Sequence, residues 1–517
     1  MKNILLVYPE YPDTFWGFKH ALKFVSKRAS LPPLGLLTIA AYFPQSWGVK
    51  LVDMNCERLK DGDIRGNDYV FISAMSVQDE SSKKVIKRCN ELNVPVIAGG
   101  PLFTMEPDHF PNANHIVIGE AEEIMPELIN DLKRNTLKRY YIARRFPDIR
   151  KAPVPRWDLL NFKWYHSMCI QYSRGCPYDC EFCEIAALNG RIPRSKTENQ
   201  IIKELRSLYD FGWKGAVFFV DDNFIGKRTE LKRTVLPAII NWQKAHDYPF
   251  RLYTEVSIDL SDDDELISSM VQAGFNKVFI GLETPDMKSL KEANKRQNIT
   301  HDLEKSIKKL HSSGLEIQGG FIVGFDNDTP TIFKRQFNFI QKNSIVTAMV
   351  GILNAPRGSK LYERMKAEGR LIGESIGNNV DVSVNFIPKM NLNILISGYK
   401  ALVNRLYSPR NYYARLRKFL STYRLPDISK PKRITFTEIK AFLRSIFVIG
   451  LFGKERFEYW KLLIWSFFKK RKYIPLIVAL MISGFHFRKI AEKISKKRIS
   501  LPGEKPFLSE KFGTKSS

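Results

Sequence analysis

The sequence contains little cysteine, with six residues in 517. So sparse a supply excludes a scaffold held together by many disulfide bonds. The apolar run within residues 1–8 is too short for a signal peptide, so we expect a cytoplasmic protein with reduced thiols. The first predicted strand is not followed by G-x-G-x-x-G, which argues against a nicotinamide or flavin site.

Acidic residues are also scarce, because 54 Asp and Glu stand against 81 Lys and Arg, a formal net charge of +27. Nucleic acid, an anionic membrane or acidic substrates are the partners that such a charge attracts. About half of the excess lies in residues 430–500, which hold 18 Lys and Arg but 4 Asp and Glu. Since no recognisable RNA-binding module accompanies this charge, we expect no nucleic-acid partner.

Three of the cysteines form a C-x3-C-x2-C motif at Cys176, Cys180 and Cys183. Iron–sulfur clusters usually bind four thiolates, and no fourth cysteine follows nearby, so a four-iron cluster here keeps one iron open for a ligand that is not protein. The alternative is structural zinc, which takes four ligands, commonly as two pairs, and no second pair follows. The motif therefore favours a reactive cluster. The other cysteines are isolated and predicted to be buried, inert thiols: Cys56, Cys89 and Cys169.

Residues 1–150 alternate predicted strands with helices, which is typical of a parallel sheet with helices on both faces. The strands are predicted at 2–8, 49–54, 69–74, 94–98 and 115–118. Ligands of such sheets lie beyond the carboxyl ends of the strands. Small or polar residues occur there, which suits a bulky ligand close to the backbone and also ordinary turns: Ser73, Ser76, Gly99, Gly100, Gly119 and Glu120.

Residues 151–390 repeat the strand–helix alternation, with six strands predicted at 168–172, 216–220, 251–258, 277–282, 316–323 and 346–353. In barrels of such units the chemistry lies at the carboxyl ends of the strands. The cysteine motif follows the first of these strands. Later strands carry polar residues near their ends, each of which alone could be a surface or turn residue but which together predict a binding site: Asp221, Asp222, Asn223, Glu255 and Glu283.

Residues 391–517 lose this alternation and are predicted to be helical, with apolar stretches at 439–453, 457–468 and 474–487. The last is about 14 residues long, short of the ~20 that span a bilayer. Basic amphipathic helices with aromatic residues are typical of proteins on a membrane surface; a helical cap on the barrel with a solvated basic face is the alternative. Two aromatic-rich loops, 8–22 and 31–38, either close over a flat apolar ligand or pack on their own domain.

The cysteine motif resembles the C-x3-C-x-φ-C signature of radical S-adenosylmethionine (SAM) enzymes, in which φ is aromatic, as Phe182 is here. The resemblance implies a partial (β/α)6 barrel and a [4Fe-4S] cluster whose open iron binds SAM. It implies reductive cleavage of SAM to a 5′-deoxyadenosyl radical, with an electron donor such as flavodoxin or ferredoxin. The SAM contacts that it implies are Phe182, Asp221, Asp222, Asn223, Glu255, Glu283 and Ile322.

Residues 1–150 resemble the cobalamin-binding domain that precedes many radical SAM barrels. Many cobalamin proteins carry D-x-H-x-x-G, whose His binds cobalt from below, but the chain reads D-M-N-C-E-R from Asp53 and lacks the His. The resemblance therefore implies cobalamin without a His ligand, which is common among cobalamin-dependent radical SAM enzymes. The cobalamin contacts that it implies are Asp53, Asn55, Ser73, Ser76, Gly99, Gly100, Gly119 and Glu120.

As a whole, residues 1–390 resemble the cobalamin-binding radical SAM enzymes, and the opening aromatic segment and C-terminal extension look most like the hopanoid C-2 methylase branch. This implies a cobalamin-binding Rossmann-like domain at 1–150, a radical SAM barrel at 151–390 and a basic helical domain at 391–517 that contacts the inner face of a membrane. It also implies C-methylation of a lipid-like small molecule. The alternatives are a radical SAM cyclase or oxidase without methyl transfer, and a non-catalytic cobalamin or cluster sensor.

Overall fold

Six parallel strands form the first sheet of the computed structural model, which describes residues 1–378, 380–426 and 435–497. The strands run in the order β2-β1-β3-β4-β5-β6. Their central residues are apolar and buried on both faces, as expected where helices cover a parallel sheet. The strands are β1 Asn3–Tyr8, β2 Gly48–Asp53, β3 Tyr69–Ser73, β4 Val96–Gly99, β5 His115–Ile118 and β6 Tyr140–Ile142.

A second parallel sheet follows in the order β7-β10-β11-β12-β13-β14, with a small antiparallel pair β8-β9 beside it. Among the described residues β7 and β14 do not pair with each other, so the second sheet is an open barrel of six strands. The α/β fold class with parallel sheets is confirmed. The strands are β7 Ser167–Ile170, β8 Ser173–Arg174, β9 Arg194–Ser195, β10 Ala216–Phe219, β11 Arg251–Glu255, β12 Phe275–Glu283, β13 Glu316–Val323 and β14 Thr347–Ile352.

Helices cover both sheets, and only helices follow residue 391 in the described part of the chain. Those of the first sheet include Lys19–Leu22, Leu34–Ala40, Asp61–Arg65, Asp79–Glu91, Pro101–Met105 and Ala121–Arg134. Those of the barrel include Ile185–Asn189, Glu198–Asp210, Leu236–Ala245, Asp264–Gln272, Met287–Glu292, Arg296–Ile299, Leu303–Ser312, Ile332–Lys342 and Lys360–Ala367. The C-terminal helices are Leu392–Leu406, Pro409–Thr422, Phe436–Ser445, Arg456–Lys469 and Ile474–Lys496.

The aromatic loop at residues 8–22 packs on the barrel and on the last helix rather than on its own domain alone. The Trp16 ring meets Phe279 of β12 edge to face at 5.4 Å between ring centroids, and its Nε1 donates to the sulfur of Met349 in β14 at 2.9 Å. Phe15 stacks on Phe487 of the last helix at 4.4 Å. The segment therefore ties the first sheet, the barrel and the C-terminal helices together.

The last helix, Ile474–Lys496, extends nine residues beyond the apolar stretch predicted at 474–487. Pro475 lies in its first turn, where a missing N–H costs nothing. The segment Arg471–Lys496 is long and apolar enough to cross a membrane, but 61% of its most apolar 18-residue stretch is buried inside the protein. Packing within the fold thus accounts for much of this apolarity. Residues 427–434 and 498–517 of the predicted helical region lie outside the described residues.

Candidate active site

The carboxyl ends of both sheets face one continuous cavity of about 2960 Å³. Pockets for one drug-sized ligand measure roughly 300–1,000 Å³, so this cavity has room for more than one large ligand. Of the residues predicted to bind SAM, Phe182, Asp222, Glu255, Glu283 and Ile322 line it. Of those predicted to bind cobalamin, the cavity is lined by Asn55, Ser73, Ser76, Gly99, Gly100, Gly119 and Glu120.

The cysteine motif lies in a loop that is closed at its base by the antiparallel pair of Ser173–Arg174 with Arg194–Ser195. The three thiols are free and partly exposed, and burial raises the pKa of Cys183 to about 12. No three His, Cys, Asp or Glu side chains of the described residues are arranged to hold a single metal ion. A four-iron cluster does not need three thiolates that converge on one ion, because each thiolate binds a separate iron.

Two neighbouring carboxylates hold this loop in place. Asp221 accepts hydrogen bonds from the Tyr172 backbone at 3.2 Å and from the Ser173 hydroxyl at 2.6 Å. Asp222 accepts from the Gly175 backbone at 2.8 Å. Burial raises the pKa of Asp221 to about 7. Asp221 lies beneath the loop and outside the cavity lining, whereas Asp222 faces the cavity as well.

Two side-chain amides point at the cysteine sulfurs. Asn223 Nδ2 lies 4.0 Å from Cys176 Sγ and also donates to Ser257 Oγ at 3.1 Å. Gln297 Nε2 lies 3.8 Å from Cys180 Sγ. Hydrogen bonds to the sulfurs tune the reduction potential of iron–sulfur clusters. The sequence analysis missed Gln297, because a single Gln in the polar stretch around residue 297 carries no motif.

A buried ion pair adjoins the aromatic residue of the motif. Lys295 Nζ lies 2.7 Å from Glu283 and 5.8 Å from the centre of the Phe182 ring. Burial alone would lower the pKa of Lys295, but the Glu283 carboxylate outweighs it and raises that pKa. Lys295 was also missed, since nothing in its neighbourhood marks it as buried. The Lys295 ammonium therefore lies close enough to Cys180 and Cys183 to interact with their charges.

The carboxyl group of Glu255 lies at the end of β11. Among the described residues it has no ion-pair partner. Burial, followed by the charges of Asp222 and Asp221, raises its pKa to about 8. The carboxyl is therefore largely protonated at neutral pH. A bound ligand with a positively charged group would favour its ionised form.

The glycines at the strand ends of the first sheet make close approaches that a side chain would block. Gly100 has φ +91, and a Cβ there would lie 2.7 Å from Ser73 Oγ. Gly119 has φ +92, and a Cβ there would lie 2.8 Å from Ala143. These positions leave bare backbone at the edge where a bulky ligand fits.

Glu120 and Asp53 connect the first sheet with residues of the barrel region. Glu120 accepts from Arg174 at 2.7 Å and from Arg194 at 3.0 Å, both of which flank the cysteine loop. Asp53 lies outside the cavity lining and accepts from the Tyr165 hydroxyl at 3.0 Å. Neither carboxylate is free, because each is held by neighbours across the domain boundary.

The isolated cysteines are buried, as predicted: Cys56, Cys89 and Cys169. Burial raises the pKa of Cys56 and of Cys89 to about 12. Such thiols are protonated at neutral pH and chemically quiet.

Three family models match successive parts of the chain. The B12 binding domain matches residues 25–129, the Radical SAM superfamily matches residues 170–340, and a domain of unknown function, DUF4070, matches residues 359–500. The fold agrees with these matches. A structure of the cobalamin-dependent SAM radical enzyme OxsB covers 96% of this chain and 80% of its own, with a TM-score of 0.61 and 15% identity. The methyltransferase TsrM from Kitasatospora setae covers 72% of this chain and 79% of its own, with a TM-score of 0.56 and 15% identity.

The fold and the cysteine loop thus define a radical SAM enzyme with a cobalamin-binding domain. An uncharacterised methyltransferase of Synechocystis sp. is 38% identical over 88% of this chain and 86% of its own length. The hopanoid C-2 methylase of Rhodopseudomonas palustris is 32% identical over 89% of this chain and 88% of its own length. The chain belongs to this family of cobalamin-dependent radical SAM methyltransferases, whose cofactors are a [4Fe-4S] cluster, SAM and cobalamin. The residues present fit these groups, since the cavity is large and two of the three motif thiols, Cys176 and Cys180, face side-chain amides.

Proposed function

We propose that the enzyme methylates an unactivated carbon of a lipid-like molecule, with SAM against the cavity-lining residues of the barrel and cobalamin against those of the first sheet. The observation that carries this proposal is the apolar interior of the barrel, which is continuous with the cofactor end of the cavity. The interior side chains are large and apolar: Trp16, Phe218, Tyr253, Phe279 and Met349. The similarity to a hopanoid C-2 methylase supports the same substrate class.

The cofactors supply a carbon-centred radical and a methyl group, chemistry that protein side chains lack. The protein binds and orients the reactants. Cys176, Cys180 and Cys183 would hold the cluster, and the side-chain amides of Asn223 and Gln297 point towards the sulfurs of Cys176 and Cys180. The aromatic interior excludes water, which protects a reactive radical from side reactions.

The partners that we propose are a lipid-like substrate and a one-electron donor such as flavodoxin or ferredoxin. We also propose that the basic C-terminal region contacts the inner face of a membrane. Support comes from the 18 Lys and Arg against 4 Asp and Glu in residues 430–500, because juxtamembrane basic residues attract anionic headgroups.

The test is anaerobic turnover of the reconstituted enzyme with SAM labelled in its methyl group, a chemical reductant and a hopanoid lipid. We expect 5′-deoxyadenosine and a labelled lipid. The matched control is Cys89→Ala, which removes a buried thiol away from the motif, against Cys176→Ala, which should lose both products and most of the iron. Formation of 5′-deoxyadenosine without labelled lipid would favour a cyclase or oxidase, and no 5′-deoxyadenosine at all would favour a sensor.

A further inference from the structure

Two successive C-terminal helices carry an apolar surface that no described residue covers. We name them the docking hairpin: residues 436–451, a helix whose last six residues form a π-helical segment, and Arg456–Lys469. Eleven of the 24 exposed large apolar side chains of the described residues lie within 436–468. So dense a concentration marks an interaction surface rather than the scattered exposure of ordinary proteins.

The exposed side chains recur at helical spacing, so each helix presents one apolar stripe to the outside. The first stripe is Phe436, Ile439, Leu443, Phe447 and Leu451, and the second is Phe457, Ile464, Phe467 and Phe468. Exposure reaches 79% at Phe436 and 77% at Phe468, and Phe452, in the connection between the two helices, is 72% exposed. The first helix has 16 residues, about 24 Å at 1.5 Å per residue, which suits a helix that lies on a bilayer better than one that spans it.

Hydrogen bonds and a buried ion pair hold the docking hairpin in place on the fold, which leaves its apolar stripes on the outside. Arg444 Nη1 donates to the backbone oxygens of Lys23 and Phe24 at 2.7 and 3.1 Å. The Tyr459 hydroxyl meets Ser445 Oγ at 2.8 Å. Arg488 of the last helix pairs with Glu455, and both side chains are buried.

The charge around the stripes is basic. Residues 436–472 contain nine Lys and Arg against three Glu, and one of these, Glu455, is already paired with Arg488. Four basic residues follow the second stripe in succession, at 469–472. A basic rim around an apolar face is complementary to an anionic lipid surface.

The cavity reaches this surface. Ile439 is 45% exposed in the first stripe and also lines the cavity. The cavity is also lined by Phe442 of the same helix and by Ile482 of the last helix. The apolar stripe and the apolar interior of the barrel are therefore parts of one continuous surface.

We propose that the docking hairpin binds the enzyme to an anionic lipid bilayer, with both stripes among the headgroups, so that the cavity opens into the bilayer beside Ile439. The role rests on the proposed function in one respect, namely that a lipid-like substrate enters through this opening. It assigns a membrane-docking role to the part of the chain that matches a domain of unknown function.

The first experiment measures binding alone. The holoenzyme is sedimented with vesicles of phosphatidylglycerol and phosphatidylcholine in equal parts, and with vesicles of phosphatidylcholine only. We expect at least tenfold tighter binding to the anionic vesicles, and at least tenfold weaker binding for F447D/F452D. The matched control is F211D/M287D, which places the same two charges at apolar residues of the barrel that are 49% and 47% exposed and should bind as the wild type does.

Binding of F447D/F452D equal to that of the wild type, or no binding of the wild type, would overturn the proposal. If the wild type does not bind vesicles but forms a dimer in solution, and F447D/F452D dissociates that dimer, the face is a protein interface instead.

A second experiment compares methyl transfer to substrate in vesicles and in detergent micelles. We expect F447D/F452D to raise the micelle-to-vesicle rate ratio at least tenfold. Vesicle binding without any labelled product would contradict the proposed function and leave the docking role standing.

Discussion

Gly175, directly before the first motif cysteine, has a backbone conformation that other residues avoid, with φ +93. A Cβ at this position would lie 2.9 Å from the carbonyl oxygens of both Asn189 and Gly190. Its backbone N–H is also the donor to Asp222. The residue therefore fixes the geometry of the cysteine loop through sterics and through one hydrogen bond.

Replacing Gly175 by Ala should displace this loop. The left-handed conformation costs an L-residue roughly 1–2 kcal/mol, and the two carbonyl contacts add to that cost. Gly212→Ala is the matched control, because Gly212 has φ +85 and no atom within 4 Å of the added Cβ. We expect Gly175→Ala to lose most of its iron after reconstitution, measured by iron analysis, while Gly212→Ala retains it. Equal iron content in the two variants would contradict a local role for Gly175.

At the scale of elements, buried strands could be predicted and short edges could not. The prediction at 316–323 is confirmed by Glu316–Val323 and that at 115–118 by His115–Ile118, because each contains a continuous apolar run, residues 321–323 and 116–118. β6 was not predicted, since Tyr140–Ile142 has three residues of which only the central one is buried. Hydrophobic pattern is the signal that sequence offers, and a three-residue edge strand carries almost none of it.

The candidate site shows the same division. Residues of the motif and of strand ends were predictable, because parallel strands bring their carboxyl ends to one edge. Lys295 and Gln297 were not predictable, since they reach the cysteines from a short helical segment whose position depends on tertiary packing. Asp53 lies within the strand predicted at 49–54 and Glu120 follows the one predicted at 115–118, but their hydrogen bonds to Tyr165 and Arg174 depend on how the first sheet meets the barrel region.

The open edge of β14 is covered by a tyrosine from a C-terminal helix. The Tyr407 hydroxyl donates to the Ala348 carbonyl oxygen at 2.6 Å and accepts from the Ala348 N–H at 3.1 Å. An uncovered edge strand is a site for unwanted pairing. The contact explains how the helical region completes a barrel that its own strands leave open.

Tyr407→Phe should therefore destabilise the barrel by about 1–2 kcal/mol, because both backbone groups of Ala348 lose a partner. Tyr413→Phe is the matched control: its hydroxyl is buried and has no hydrogen-bond partner among the described residues. We expect a lower thermal transition for Tyr407→Phe and an unchanged or higher one for Tyr413→Phe. Equal shifts in the two variants would show that edge coverage is not what the hydroxyl contributes.

At the scale of the whole molecule, the two sheets could be predicted separately, but not how they face each other. The first sheet meets the cysteine loop through Arg174, whose guanidinium lies 2.7 Å from Glu120 and 2.5 Å from Glu122. All three side chains are at most 16% exposed. The residue before Gly175 thus couples the cluster loop to the domain that binds the second cofactor, a contact between residues more than 50 positions apart in sequence.

Arg174→Met should uncouple the two sheets, because it leaves the buried Glu122 carboxylate without its partner and Glu120 with Arg194 alone, at a cost of about 3 kcal/mol. Arg174 outweighs burial and lowers the pKa of Glu122 below its usual 4.5. The pair therefore stabilises the fold above pH 4.5, and this stabilisation is lost as the pH falls through the lowered pKa. We expect the difference in thermal transition between wild type and Arg174→Met to be large at pH 7 and to shrink below about pH 4.5.

Hydrogen exchange at residues 119–122 and 171–195 should rise in the variant at pH 7. Arg145→Met is the matched control. Arg145 pairs with Glu123, the neighbour of Glu122 on helix Ala121–Arg134, but the Arg145 side chain is 82% exposed. An exposed pair contributes about 0–1 kcal/mol. Similar exchange in both variants would mean that the buried pair does not couple the sheets.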